Sequence, residues 1–475
     1  MRAVTFVDRL TLEIPGSVAQ CGIFLADVND DGESELIVGT TEGDLFIYKG
    51  RSGNVWKKAS NLGFITAISV GDLFNMGYSV LVVATGCGWV NVFDFSKYSA
   101  EDEFEPTFKQ RVPANIRDMI ISDVTHDGLS ELVISLTDRV VRMYRWTVFG
   151  LGEEEGQEKE EVEEKDEDEE SPSSPVVSPT SLNLMASRES GRLVCINKWE
   201  FASQIGTVSM NKDSDGKPAI LIGQPGGAFL RLRCRDLDKE GGKKQEDTGV
   251  EIEESENPTF KGLLSEEDSL ISSMSVEYEP LGINRRANPN VSSEILGGFE
   301  TGGEGKGTRF AITTLDGSIL LVDDDSKKKS VDCIMWNLQV DHQIMCLSKL
   351  DITGNKSDEV IACSWDGQTY IISQDKQAVR FKFEESVSTF TAGRFTLGPE
   401  NTQPVLVYVT LSNKIQIYYN LCLGTDLTLS SLIHYPPMLR EAGDTLKSLG
   451  CEPGNLAHLR QIYNYCLYGL PDSEL

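Results

Sequence analysis

A chain of 475 residues that is 40% hydrophobic and 25% charged can build a sizeable core, while 44 Lys+Arg against 74 Asp+Glu give a formal charge of −30. That balance excludes the broad basic face needed to replace phosphate counterions, so nucleic acid is not an expected partner. Ten cysteines stand singly with no CxxC pair, which argues against a disulfide framework or a zinc site, and no run of 18 apolar residues marks a membrane span.

The N-terminus, MRAVTFVDRLTLEIPG, alternates apolar and polar residues and lacks the apolar stretch of a signal peptide, so a soluble, intracellular chain is expected. Residues 23–48 then read as strand, acidic loop, strand, hairpin, strand. The clearest copies of this unit are 119–146 and 346–373, and weaker ones lie at 68–95, 208–234, 295–323 and 390–419. Asp27 to Asp72 is 45 residues, Asp72 to Asp123 is 51 and Asp351 to Thr396 is 45, a period that signals a propeller. A further strand follows most units, at 55, 108, 196, 334 and 378, as the outer strand of each blade. Trp56, Trp199 and Trp336 recur in it as cover for the blade edge.

The seventh unit has no such strand after it, whereas the chain begins with AVTFVDRLTLEI, which has no unit of its own. The expected fold is therefore all-β: a seven-bladed β-propeller spanning 1–424 and closed by the N-terminal strand, which hides two free sheet edges. Two segments break the period. Between Glu153 and Glu170 there are 13 acidic residues and two lysines, and a Ser-Pro tract with Ser171, Ser174 and Ser178 follows. Residues 152–190 are expected to be a disordered insertion between blades three and four, either a plain linker or a phosphate acceptor. A polar insertion at about 235–292 is expected to lengthen blade four. Residues 425–475 change to a period near 3.6, with Leu439, Ala442, Leu446 and Leu449 and then Leu456, Leu459, Ile462, Tyr463 and Cys466. This predicts a short α-helical C-terminal tail, packed on its own propeller or docking a partner.

The candidate chemistry lies in DVNDDGESE, where Asp27, Asn29, Asp31 and Glu35 occupy positions 1, 3, 5 and 9 of a calcium-loop pattern, with the Glu33 carbonyl at position 7. The copy at Asp123, Thr125, Asp127 and Glu131 keeps three carboxylates, and that at Asp351, Thr353, Asn355 and Glu359 keeps two. At Asp72, Phe74, Met76 and Val80 the set cannot bind a hard cation. The same residue types also favour tight turns without any metal, so both readings stand at this point. His126, His342, His434 and His458 match no nucleophile signature, and the glycine-rich runs at 223 and 298 lead into no helix, so no catalytic site is expected.

The acidic loop followed by ELIVG or ELVIS resembles the FG-GAP repeats of integrin-alpha propellers. The long runs QRVPANIRDMIISDVTHDGLSELVISLTDRVVRMYRW and VDHQIMCLSKLDITGNKSDEVIACSWDGQTYIIS are similar to the FG-GAP repeat subunits of the KICSTOR complex. The resemblance covers residues 1–420 apart from the insertions. It implies a non-enzymatic scaffold with no required cofactor, partnered by a kaptin-like propeller and a large scaffold subunit. Such a subunit would recruit the GTPase-activating brake of the TOR kinase pathway to the lysosomal surface in response to amino acids, being cytoplasmic and peripheral to that membrane through its partners. The alternative is a calcium-dependent ligand-binding or adhesion propeller, which calls for a signal peptide and paired cysteines.

Overall fold

Second strands such as ELIVGT, VLVVAT and ELVISL are buried along their whole length, because each lies inside a blade with a further blade against either face. Alternate residues point to opposite neighbours: Leu36 and Val38 join a cluster with the last blade, through Val407 and Ile417, while Ile37 joins one with the second blade, through Leu81 and Val83. In the third blade Leu132 and Ile134 face backward and Val133 faces forward. Each fully buried Leu, Ile or Val contributes roughly 1.5–3 kcal/mol of transfer free energy, so this two-sided pattern drives the stacking.

The computed structural model describes residues 2–3, 8–98, 104–148, 191–234, 274–281, 290–302, 307–324, 330–399, 401–421 and 423. Their strands form six hydrogen-bonded sheets. Five stand alone, and the eight-stranded sixth consists of two antiparallel four-stranded units joined by one parallel bridge, Cys21 to Ala67. The described residues thus make seven four-stranded blades. Their first strands are Val18–Ala26, Ile65–Gly71, Ile116–Ser122, Val208–Lys212, Ser293–Phe299, Ile344–Leu350 and Val387–Thr396. Each first strand neighbours the next, and the last returns to the first, so the blades close a ring.

Closure uses the N-terminus as expected: Asp8–Glu13 pairs antiparallel with Lys414–Tyr419 and completes blade seven. Arg2–Ala3 additionally pairs in parallel with Ala378–Lys382, the outer strand of blade six. The outer strands read from the sequence are present, and their tryptophans reach toward the following blade. Trp56 stacks on Phe95, Trp199 is buried among Val208, Ile220 and Ile222, and Trp336 donates its Nε1–H to the Gln374 carbonyl at 2.9 Å.

Two expectations are corrected. The acidic and Ser-Pro segment lies within blade three, not between blades three and four, because Val140–Val148 pairs directly with Gly191–Glu200 and Val148 faces Gly191. The polar insertion 235–292 contains Met274–Glu279, which pairs with Phe229–Cys234 as the fourth strand of blade four. The intervening residues, and the predicted helical tail at 425–475, lie outside the described residues. By contacts the chain separates into two units, Met1–Leu421 and Cys422–Leu475.

Candidate functional site

The connections between first and second strands gather at one end of the ring. In blade one both oxygens of Asp27 are engaged by the main chain, accepting from Asp31 N–H at 3.2 Å and Gly32 N–H at 2.7 Å. Asp72 does the same for Met76 and Gly77, Asp123 for Asp127 and Gly128, and Asp351 for Asn355 and Lys356. Asp72 keeps this role in a loop whose positions 3, 5 and 9 are Phe74, Met76 and Val80, so the first aspartate folds the turn without the other ligand positions. The glutamate at position 9 acts in parallel: Glu35, Glu131 and Glu359 accept from the N–H of Val28, Val124 and Ile352.

Asp27, Asn29, Asp31 and Glu35 are brought together on this loop, and a side chain that sequence reasoning missed stands among them. The Lys49 ammonium contacts Asp31, Glu33 at 3.2 Å and the fully buried Glu35 at 3.0 Å. In blade three Arg145 replaces it, donating to Asp127 at 2.7 Å, to Thr125 at 3.1 Å and to Glu131 through Nε at 3.1 Å. Lys49 immediately follows Tyr48, which pairs with Leu36, and Arg145 pairs with Glu131, so the two cations hold equivalent register positions. A signal was available: Arg145 lies 14 residues beyond its glutamate, as Lys49 does beyond Glu35.

Calcium requires six to eight oxygens converging on one centre. Here the oxygens of Asp27 are spent on main-chain N–H groups and the centre of the remaining carboxylates holds an ammonium, so the loop as arranged does not fit a calcium ion. Burial pushes the Asp31 carboxyl up, but hydrogen bonds from Lys49, Asn29 and the Glu33 N–H outweigh it and hold the group below its usual range. Burial prevails at Glu35 and Glu131, which stay above theirs despite their cations. Among the described residues no group of three or more His, Cys, Asp and Glu is placed to hold a metal.

Position 4 of the loop, overlooked in the sequence, links neighbouring blades. Asp30 accepts from Ser79 N–H at 2.8 Å, and Asn75 both donates to the Ser130 carbonyl at 3.3 Å and accepts from Ser130 N–H at 2.5 Å. Asp30 and Asn75 adopt positive φ, which both residue types tolerate. A cavity of about 940 Å³ opens among the same loops of blades three to six, lined in part by Asp123, His126, Lys212, Glu300 and Lys356. His126 is exposed in its turn, and His342 contacts Asp366 at 3.1 Å on the opposite end; His434 and His458 lie outside the described residues.

Inside the ring the first strands carry charge. Arg117 of blade three reaches past blade four to Glu294 of blade five at 2.9 Å and donates to the Ile205 carbonyl at 3.3 Å. Asp118 accepts from Val208 N–H at 3.1 Å and Met119 N–H at 2.9 Å. Burial raises the carboxyls of both Asp118 and Glu294. These are cross-blade ties; the Cys21 thiol also bonds to Asp118, but burial and the neighbouring carboxylates push it well above its ordinary value, so it is not poised as a nucleophile.

Residues 49–423 match the family described as integrin-alpha FG-GAP repeat-containing protein 2. The chain is 32% identical, over 490 residues, to the Mus musculus KICSTOR complex protein ITFG2, covering 100% of this chain and 98% of that one. Its identity to the Bos taurus protein of that name is also 32%, over 430 residues, covering 88% of this chain and 71% of that one. Among solved structures it resembles BBS1N, crystallised in complex with ARL6DN, with a TM-score of 0.54 at 12% identity, covering 90% of this chain and 100% of that one. A TM-score of 0.51 at 9% identity relates it to Chaetomium thermophilum Raptor, covering 88% of this chain and 29% of that one. At such identities the structural likenesses show the propeller fold alone.

Proposed function

The chain belongs to the integrin-alpha FG-GAP repeat-containing protein 2 family, and on that footing we propose that it is a non-enzymatic scaffold subunit of a KICSTOR-like complex. In this reading it helps recruit the GTPase-activating brake of the TOR kinase pathway to the lysosomal surface, so that the kinase is silenced when amino acids run short. The observation that carries the proposal is the end-to-end match to a relative named as a KICSTOR complex protein. The architecture supports it: a closed ring whose buried charges tie blades together leaves its end faces and outer strands as binding surfaces. The partners are protein subunits, a kaptin-like propeller and a large scaffold among them, and the chain is held peripherally at the membrane through them. No helix among the described residues is long and apolar enough to cross a membrane.

The competing adhesion reading depends on calcium at the blade loops, and the placement of Lys49 weighs against it. Removing the chain from cells and imaging the brake during amino-acid withdrawal tests the proposal. Loss of the brake from lysosomes with persistent kinase activity, both reversed by re-expression, is expected. Unchanged recruitment in its absence would sink it.

A further inference from the structure

In every blade one residue follows the second strand and begins the turn to the third, at the end of the ring opposite the acidic loops. It is Thr41, Gly86 and Thr137 in blades one to three and the buried Gln224 in blade four. In the next three blades it is Leu315, Trp365 and Leu411, exposed by 39%, 49% and 68%. These side chains sit on fixed turns, closed by Gly317 N–H to the Thr314 carbonyl at 2.9 Å, Gly367 N–H to Ser364 at 3.0 Å and Asn413 N–H to Thr410 at 3.1 Å. Three consecutive blades thus raise a large apolar side chain at one equivalent position, where the others do not.

The surroundings are acidic. The turns at 315–317, 365–367 and 411–413, with the connections 340–343 and 383–386, contain Asp316, Asp341, Asp366, Glu384 and Glu385 and no Lys or Arg. Asp316, Asp341 and Glu384 are exposed, whereas Asp366 is already matched by Lys382 at 3.4 Å and His342 at 3.1 Å. The amides of Leu315, Gly317, Gly367, Leu411 and Asn413 are bonded within the chain, and the arc is made of tight turns with no strand edge to extend.

We propose that the Leu315–Trp365–Leu411 arc docks an amphipathic helix of another polypeptide, with apolar residues along one face and Lys or Arg on its flanks. An apolar stripe spans three separated anchors, and basic flanks complement the uncompensated carboxylates. The acidic rim disfavours an anionic membrane. This deepens the scaffold reading and rests on it.

The test uses the full chain in cells, with a benzophenone amino acid at position 365 and, as a control, at Met335 on an outer strand. Crosslinks from 365 alone should map to a segment of another protein with helically spaced apolar residues flanked by Lys or Arg. The triple variant Leu315→Ser, Trp365→Ser, Leu411→Ser, with melting temperature unchanged, should recover that protein at least about tenfold less well. Should it misfold, the surface variant Asp341→Lys, Glu384→Lys should show the same loss. Crosslinks only to this chain, a second copy of it, lipid or a segment without that pattern would overturn the proposal, as would full recovery by the folded variants. If the unsubstituted chain is recovered alone, the scaffold reading falls as well; if it keeps its partners while the variants keep them too, only the docking surface falls.

Discussion

Asp27 shows how far a single residue can be read. Its type and its spacing to Gly32 announced a tight acidic loop, yet could not decide whether its oxygens face an ion or the backbone. The answer depended on Lys49, which comes from the far side of a hairpin and meets the loop only through strand register. Two substitutions separate the roles. Lys49→Ala leaves the buried Glu35 without its cation and should lower stability by about 1–3 kcal/mol in denaturant unfolding, with calcium unable to restore it beyond the ordinary effect of salt. Asp27→Ala removes the acceptor for three main-chain N–H groups, those of Asn29, Asp31 and Gly32, and should cost about 1–2 kcal/mol with or without a calcium chelator. A loss that appears only when calcium is present would return the loop to a metal site.

At the scale of the strand and turn, the β-branched second strands, the acidic loops and the orphan N-terminal strand were all legible, because each carries a local pattern. Met274–Glu279 was not. Its six residues, MSVEYE, alternate apolar and polar side chains, but the strand is short, has one buried position and follows a long polar stretch that hides it. The place of the acidic segment was missed for a related reason, since a long connection between paired strands looks in sequence like a break between blades. The turn glycines carry a more direct prediction. Gly317 has φ +91°, and a Cβ there would meet the Val340 carbonyl oxygen at 2.2 Å, the same oxygen's residue donating its N–H to Gly317 O at 2.9 Å. Gly317→Ala should therefore destabilise by more than the usual ~1 kcal/mol for an unsuitable Gly replacement. An unchanged unfolding midpoint would show that the turn can yield.

For the molecule as a whole, the ring is closed by its N-terminus and braced by the cross-blade hydrogen bonds of Arg117 and Asp118. Deleting residues 1–13 opens blade seven and frees the outer edge of blade six, so the thermal transition should broaden and fall well beyond the loss of one strand. The pH dependence has two signs. Burial raises the carboxyls of Asp118, Glu294, Glu35, Glu131, Asp358 and Glu359, so the folded state binds their protons more readily than the unfolded chain. Their contribution is fully present at low pH and is lost as pH rises through the raised values; acidifying from neutrality toward the ordinary glutamate value of 4.5 should raise the melting temperature. Relief of the net charge of −30 acts in the same direction. Asp31 and Asp127 are burdened by burial but held low by their hydrogen bonds and cations, so their contribution is lost below the ordinary aspartate value of 3.8 and the trend should reverse there. A melting temperature that only falls from pH 7 downward would mean that the buried carboxylates are better solvated than their surroundings indicate.

The scaffold role is tested most directly by tagging the chain at its native locus and measuring the mass of the particle that contains it after gentle extraction. A stable assembly well above the 52.4 kDa of the chain, with a second propeller and a large subunit in fixed proportion, is the predicted result. Recovery as a lone 52.4 kDa monomer under conditions that preserve other assemblies would contradict the account.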